Sequence, residues 1–406
     1  MLIQPVSGTV QKQYDGRSHR IARLKRDDMG LNRILLHLAA RGIRYRWLKA
    51  SGRPARPEAL SLEITRRCIA KCLMCNIWQL PASPELDARI WLELLQSPAL
   101  SELKELDVTG GEPFLRDDLA ELLLGIGRLK ATHLPRLCSV AITTNGFLTQ
   151  KILSDVGAVI DPLEQAGVTL VFACGMDAVG DAHDRIRNYP GGWAKLHATI
   201  EGLKGLREHH PSLVLGIKAT ITRHNIDELD QVCRYADDQG LFTIISPYIL
   251  TANRYANLGR EDMLAFSPED VEKMKDFYAS SRFRWSFYRN ELLHFLESGR
   301  MDKPCSAGFN YFFIRSTGEL FPCPIIKFPL GNILQTPFEE LIRSADAARF
   351  RRGVSEFPEC ATCTEPGLER YALPFEGFHY LRQYVKLGRE GFRTLHRHLG
   401  LDKYFP

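Results

Sequence analysis

The chain has 406 residues, 45% of them hydrophobic and 25% charged, with a net charge of +5. Those proportions exclude a disordered or collagen-like protein, and no apolar run approaches the roughly 18 residues a membrane span needs. The length calls for two domains or one elaborated domain, and the lack of a basic stretch followed by an apolar one at the start makes a cytoplasmic location the expectation.

In chain order, residues 1–59 read as a basic arm, helical in pattern around 31–48; residues 1–60 hold 13 Lys/Arg against 4 Asp/Glu. Such an arm suits an anionic partner (membrane surface, phosphate or nucleic acid) or is simply a solvated helix face. From 60 to 250, short β-rich runs at 60–65, 105–109, 138–143, 168–175, 213–220 and 242–250 alternate with helix-period segments at 86–95, 118–129, 149–165, 193–209 and 226–238. The alternation predicts a parallel α/β sheet, open or curled into a partial barrel, with reactive groups at the C-terminal strand ends. This core is expected to span 60–290. Beyond it, Ser267 and Asp270 read as a capped helix start and 291–296 as helical. A small loop-rich module is expected over 300–370, dense in Pro, Gly and Cys between 303 and 366. An amphipathic helical tail is expected over 371–406, with Phe378, Leu381, Val385, Phe392, Leu395 and Leu399 at helical spacing among Arg and Lys.

Ten cysteines are many for a cytosolic chain, where disulfides are rare, so their spacing points to metal or catalytic chemistry first. Cys68, Cys72 and Cys75 form a C-x3-C-x2-C triplet directly after the first strand. Zinc or a closed cubane wants a fourth ligand nearby, and Asn76, Ile77 and Trp78 offer none. Three thiolates can hold three irons of a cubane and leave the fourth open to a small chelating ligand.

The triplet, together with Gly110-Gly111-Glu112-Pro113 after the second strand, closely resembles the radical S-adenosylmethionine (SAM) enzymes. The resemblance implies a partial (β/α)6 TIM-like barrel and a [4Fe-4S] cluster on Cys68, Cys72 and Cys75. The open iron of that cluster is chelated by SAM, which is cleaved on reduction to methionine and a 5′-deoxyadenosyl radical. It also implies a cofactor-binding set. Gly110 and Gly111 would let backbone approach the methionine ammonium. Glu112 would accept from that ammonium, a helix N-terminal charge being its plainer role, and Pro113 completes the motif. Asn145 sits in the Thr144-Asn145-Gly146 turn, whose plainer reading is an ordinary turn. Met74 would pack near the adenine, and Asp177 and Arg187 follow strand four. Many relatives carry a serine where Gly175 stands, which leaves Arg187 as the candidate for the SAM carboxylate. Cys174 is the one catalytic candidate, as a hydrogen-atom donor to a substrate radical; packing is its plainer reading.

Cys305, Cys323, Cys360 and Cys363 form a second group, C-x12-G-x4-C followed by C-x2-C. The pattern resembles the C-terminal SPASM/twitch-type auxiliary-cluster domains of the same superfamily, in the shortened single-cluster form. Four thiolates would close a second [4Fe-4S] cluster suited to electron transfer; structural zinc would use the same four. The expected function is therefore hydrogen abstraction from a non-peptide substrate (small molecule, sugar or lipid), with oxidation or rearrangement assisted by the auxiliary cluster. The basic arm is shorter than the peptide-recognition domain of many peptide-modifying relatives, which makes a maturase of ribosomal peptides the alternative. A reading from another class is a non-catalytic iron–sulfur or zinc protein binding nucleic acid through the arm. That partner is not expected, since the arm has few interleaved aromatics and the Gly-Gly-Glu-Pro turn would go unexplained. The expected partners are a flavodoxin- or ferredoxin-type reductant and, through arm and tail, peripheral contact with an anionic membrane surface.

Overall fold

The computed structural model describes residues 30–405; the part of the basic arm before Gly30 lies outside the described residues. Helix α1 (Leu31–Ser51) buries Ile34, Leu38, Tyr45 and Leu48 on one face. Six strands then alternate with helices: β1 (Ala59–Thr65), α2 (Ala88–Leu95), β2 (Glu105–Gly110), α3 (Leu119–Lys130), β3 (Ser139–Thr144), α4 (Thr149–Gln165) and β4 (Thr169–Gly175). The series continues with α5 (Asp181–Arg187), α6 (Gly192–His209), β5 (Leu213–Ile221), α7 (Leu229–Gln239) and β6 (Phe242–Pro247). All five pairings among β1–β6 are parallel, between strands consecutive in the chain, as short βα units dictate.

Period-two alternation divides each strand between two environments. Leu170, Phe172 and Cys174 of β4 join the large core under the helices, whereas Val171 and Ala173 pack with Phe242 and Ile244 on the other face. Gly175, Lys218 and Ser246 continue that second face to the C-terminal strand ends, where they line a cavity. Strand parity thus decides which side chains can reach the chemistry.

Helices α8 (Pro268–Ala279) and α9 (Phe287–Ser298) follow, the first opened by the expected capping box of Ser267 and Asp270. The stretch read as loop-rich holds more order than its composition suggests. Strand β7 (Tyr311–Ile314) pairs in parallel with β1, and β8 (Glu319–Phe321) and β9 (Gly331–Asn332) continue antiparallel, so that one sheet of nine strands runs β6-β5-β4-β3-β2-β1-β7-β8-β9. Helices α10 (Phe338–Arg343), α11 (Ala345–Arg352) and α12 (Gly367–Glu376) complete the module.

The tail helix α13 (Phe378–Leu399) is two helices merged across a kink at Gly388, whose φ of 65° and ψ of −176° suit glycine. The kink resets the helical phase. After it Phe392, Leu395 and Leu399 are buried; before it the buried face runs through Tyr380 and Gln383, which leaves Val385, expected on the apolar stripe, 79% exposed. Among the described residues no helix is long and apolar enough to cross a membrane.

Candidate active site

The loop leaving β1 carries all three cysteines of the first group and is strapped down along its length. Glu85 accepts from Thr65 Oγ1 and from the Arg66 amide, both at 2.8 Å. Lys71 and Leu73 donate backbone hydrogen bonds to Arg187 and Ile186, and Asn76 to Tyr255. Asn257 Nδ2 reaches the Met74 carbonyl at 2.8 Å, and Arg260 donates to the carbonyls of Cys72 and Leu73. Cys68, Cys72 and Cys75 line one cavity of about 150 Å³, together with Met74, Gly110, Gly111, Asn145, Gly175 and Arg187.

The two glycines are required by backbone contact. Gly110 has φ +152°, and a Cβ there would lie 2.2 Å from the Thr65 carbonyl oxygen; one on Gly111 would lie 2.2 Å from that of Arg67. The amides of Gly111 and Glu112 donate to those same carbonyls at 2.8 Å, so the turn after β2 zips directly onto the cysteine loop.

Several expected contacts are redistributed. Glu112 is fully buried beside the cavity: its carboxylate accepts from Thr144 Oγ1 at 2.8 Å, the Asn145 amide at 2.7 Å and the Phe114 amide at 3.2 Å. It therefore holds the β3 turn and starts a short helical turn, as its plainer reading had it, with burial pushing its carboxyl up to about 7. Pro113 is the first residue of that turn and is likewise absent from the cavity wall. Asp177 is also fully buried, accepting from the Thr220 amide at 2.8 Å and pairing through Oδ2 with Arg187 Nε at 2.7 Å. That pair holds the Arg187 guanidinium in place. Cys174 fails as a catalytic candidate by strand parity: it faces the helices, 2% exposed, and burial followed by Glu112 pushes its thiol up to about 12.

Arg187 explains the missing serine. A Cβ on Gly175 would lie 2.7 Å from Arg187 Nη2 and 3.0 Å from Nη1, so the guanidinium occupies the space a side chain there would need. The same group stands 3.8 Å from Cys72 Sγ. The wall also contains groups that sequence reasoning passed over: Trp78, Lys218, Tyr248, Arg254, Tyr255 and Glu365. Lys218 alone left a signal, a lone charge within an otherwise apolar β5.

Cys305, Cys323, Cys360 and Cys363 line a second cavity of about 320 Å³, closed on one side by Tyr45, whose hydroxyl donates to the Cys305 carbonyl at 2.9 Å. Burial pushes the Cys68 and Cys305 thiols up to about 12 and Cys75 up to about 11. Dry thiolates of this kind are stabilised by metal cations, whose binding displaces the thiol protons. Among the described residues no three His, Cys, Asp or Glu side chains converge on a single ion; a cubane places each thiolate on a different iron. The donor sets fit iron–sulfur clusters: three cysteines beside free cavity volume, and four around a cavity of their own.

Residues 62–250 match the radical SAM superfamily, and residues 305–364 match the iron–sulfur cluster-binding domain called SPASM. The chain belongs to the radical SAM superfamily. It is an enzyme with a SAM-binding [4Fe-4S] cluster and an auxiliary cluster, which sets aside the non-catalytic nucleic-acid reading. Among curated relatives, the sporulation killing factor maturation protein SkfB of Bacillus subtilis is 23% identical over 88% of this chain and 85% of its own length. An AdoMet-dependent heme synthase of Methanosarcina barkeri is 23% identical over 76% of this chain and 88% of its own. A PqqA peptide cyclase of Xanthomonas campestris is 25% identical over 76% and 79%. The fold is shared with Streptococcus suis SuiB bound to S-adenosylmethionine, at a TM-score of 0.55 and 15% identity over 88% of this chain and 83% of that one.

Proposed function

We propose that this radical SAM enzyme modifies a peptide. The observation that carries the reading is the similarity to the PqqA peptide cyclases, joined by the sporulation killing factor maturation protein SkfB over 85% of that protein's length. The non-peptide substrate expected from the short, Arg-rich arm gives way to it, because that expectation rested on the length and pattern of one segment. The heme synthase relatives keep a non-peptide substrate as the second reading.

In this reading Cys68, Cys72 and Cys75 hold the SAM-binding cluster, which on reduction by a flavodoxin- or ferredoxin-type protein supplies the 5′-deoxyadenosyl radical. Gly110, Gly111, Asn145 and Met74 form the wall against which SAM is seated. Arg187, held by Asp177, backs Cys72 and fixes the cysteine loop through its own carbonyl. Cys305, Cys323, Cys360 and Cys363 hold the auxiliary cluster, and Glu365, two residues after Cys363, ties that loop to the first cavity. The test is co-expression with short peptides encoded beside the gene, followed by mass spectrometry. A SAM-dependent mass change on one peptide, lost in Cys68→Ala, is expected. Steady 5′-deoxyadenosine formation with no peptide altered, alongside conversion of a haem precursor, would overturn the reading in favour of the second.

A further inference from the structure

We propose that Lys218, with Arg254 beside it, is a receptor for a carboxylate inside the first cavity. Lys218 lies on the cavity-lining face of β5, directly opposite Gly175 in the β4–β5 register. This is the position next to the one where a side chain is missing and where Arg187 fills the gap. Arg187 is already neutralised by Asp177 at 2.7 Å. Lys218, in contrast, makes no hydrogen bond and no ion pair with any described residue, although it lines the cavity. Its Nζ is not sealed among the buried polar atoms but keeps access to the cavity, so all three of its donors are open to an anion bound there.

The surroundings narrow the class of anion. Arg254 lines the same wall, donates Nη2 to Thr109 Oγ1 at 2.9 Å, and lies 5.5 Å from the ring centres of Tyr255 and Phe313. Asp107 and Glu365 act on both cations from beyond contact range. Asp107 already accepts from Ser61 at 3.0 Å and Glu365 from the Gly367 amide at 3.0 Å. Two cations facing two carboxylates leave little field for a dianion such as a phosphate. A singly charged, planar carboxylate suits the balance, and a guanidinium and an ammonium are its usual donors.

Two carriers share this chemistry: the methionyl end of SAM and an acidic residue of the substrate. The proposal rests on reading the cavity as the reaction chamber, and the experiment separates it from the peptide reading. Anaerobically reconstituted wild type, Lys218→Met and Lys218→Arg are titrated calorimetrically with SAM and with decarboxylated SAM. They are titrated again, saturated with SAM, with N-acetylglutamate N-methylamide and its glutamine counterpart. If SAM is the carrier, Lys218→Met weakens SAM about tenfold or more, leaves the decarboxylated analogue unchanged, and Lys218→Arg recovers most of the loss. If the substrate is the carrier, SAM affinity is unchanged and Lys218→Met loses only the preference for the glutamate probe over the glutamine one. Equal affinities in wild type and Lys218→Met for all four probes would overturn the proposal while leaving the peptide reading intact. Coupling to Lys218 in an enzyme that alters no peptide would support the proposal and remove that reading.

Discussion

Gly175→Ala is the sharpest perturbation of the first cavity, because it adds a single methyl group where the structure leaves no room. The new carbon would sit 2.7 Å from Arg187 Nη2, whereas such a contact relaxes near about 3.5 Å. The guanidinium must therefore retreat by about 0.8 Å. The end of an arginine side chain usually yields cheaply, but this one is clamped: its Nε is 2.7 Å from Asp177 Oδ2, and Asp177 Oδ1 is held by the Thr220 amide at 2.8 Å. Overpacking of this kind costs about 1–3 kcal/mol, rising toward about 3–5 kcal/mol if the buried pair opens. Thermal melts of anaerobically reconstituted protein at one scan rate should then fall by about 1–6 °C. Gly205→Ala is the control, since a Cβ there meets nothing within 4 Å inside α6, and it should stabilise by up to about 1 kcal/mol. A Gly175→Ala protein that melts at or above wild type, with undiminished cluster absorbance, would refute the account of Arg187 as a clamped filler.

Three further outcomes are expected. Iron and sulfide analysis should give about eight of each per chain, falling toward about four when Cys360 and Cys363 are both replaced by Ala; stoichiometric zinc in place of the second set would contradict this. Burial, followed by Arg187, holds the fully buried His183 ring down to about 3; the unfolded chain gains the proton first, so stability present above about pH 6.5 should fall by about 2 kcal/mol by pH 5, and less in His183→Gln. Arg351 is buried with no acidic partner among the described residues, donating to the carbonyls of Gly52 at 2.7 Å, Ile342 at 2.9 Å and Gly308 at 3.1 Å; Arg351→Met leaves those acceptors unpaired and should cost about 3 kcal/mol in chemical denaturation.

The sequence by itself determined the elements and the grouping of the cysteines. Six βα units were legible because each strand is a short apolar run and each helix keeps its own period, and both are local properties of the chain. The cysteine triplet and the second group of four were legible because ligand spacing is written along the chain. Direction and partnership were not. Glu112 and Asp177 carry the same charge as a ligand-binding carboxylate, and only the packed structure shows that their oxygens are taken by Thr144, Asn145, Thr220 and Arg187. Cys174 and Gly175 are adjacent in sequence, yet the pleat sends one toward the helices and the other into the cavity. Lys218, Arg254 and Glu365 come from segments up to 147 residues apart and meet only when the strands register and the C-terminal module folds over them. Their meeting depends on long-range contacts that no local pattern encodes.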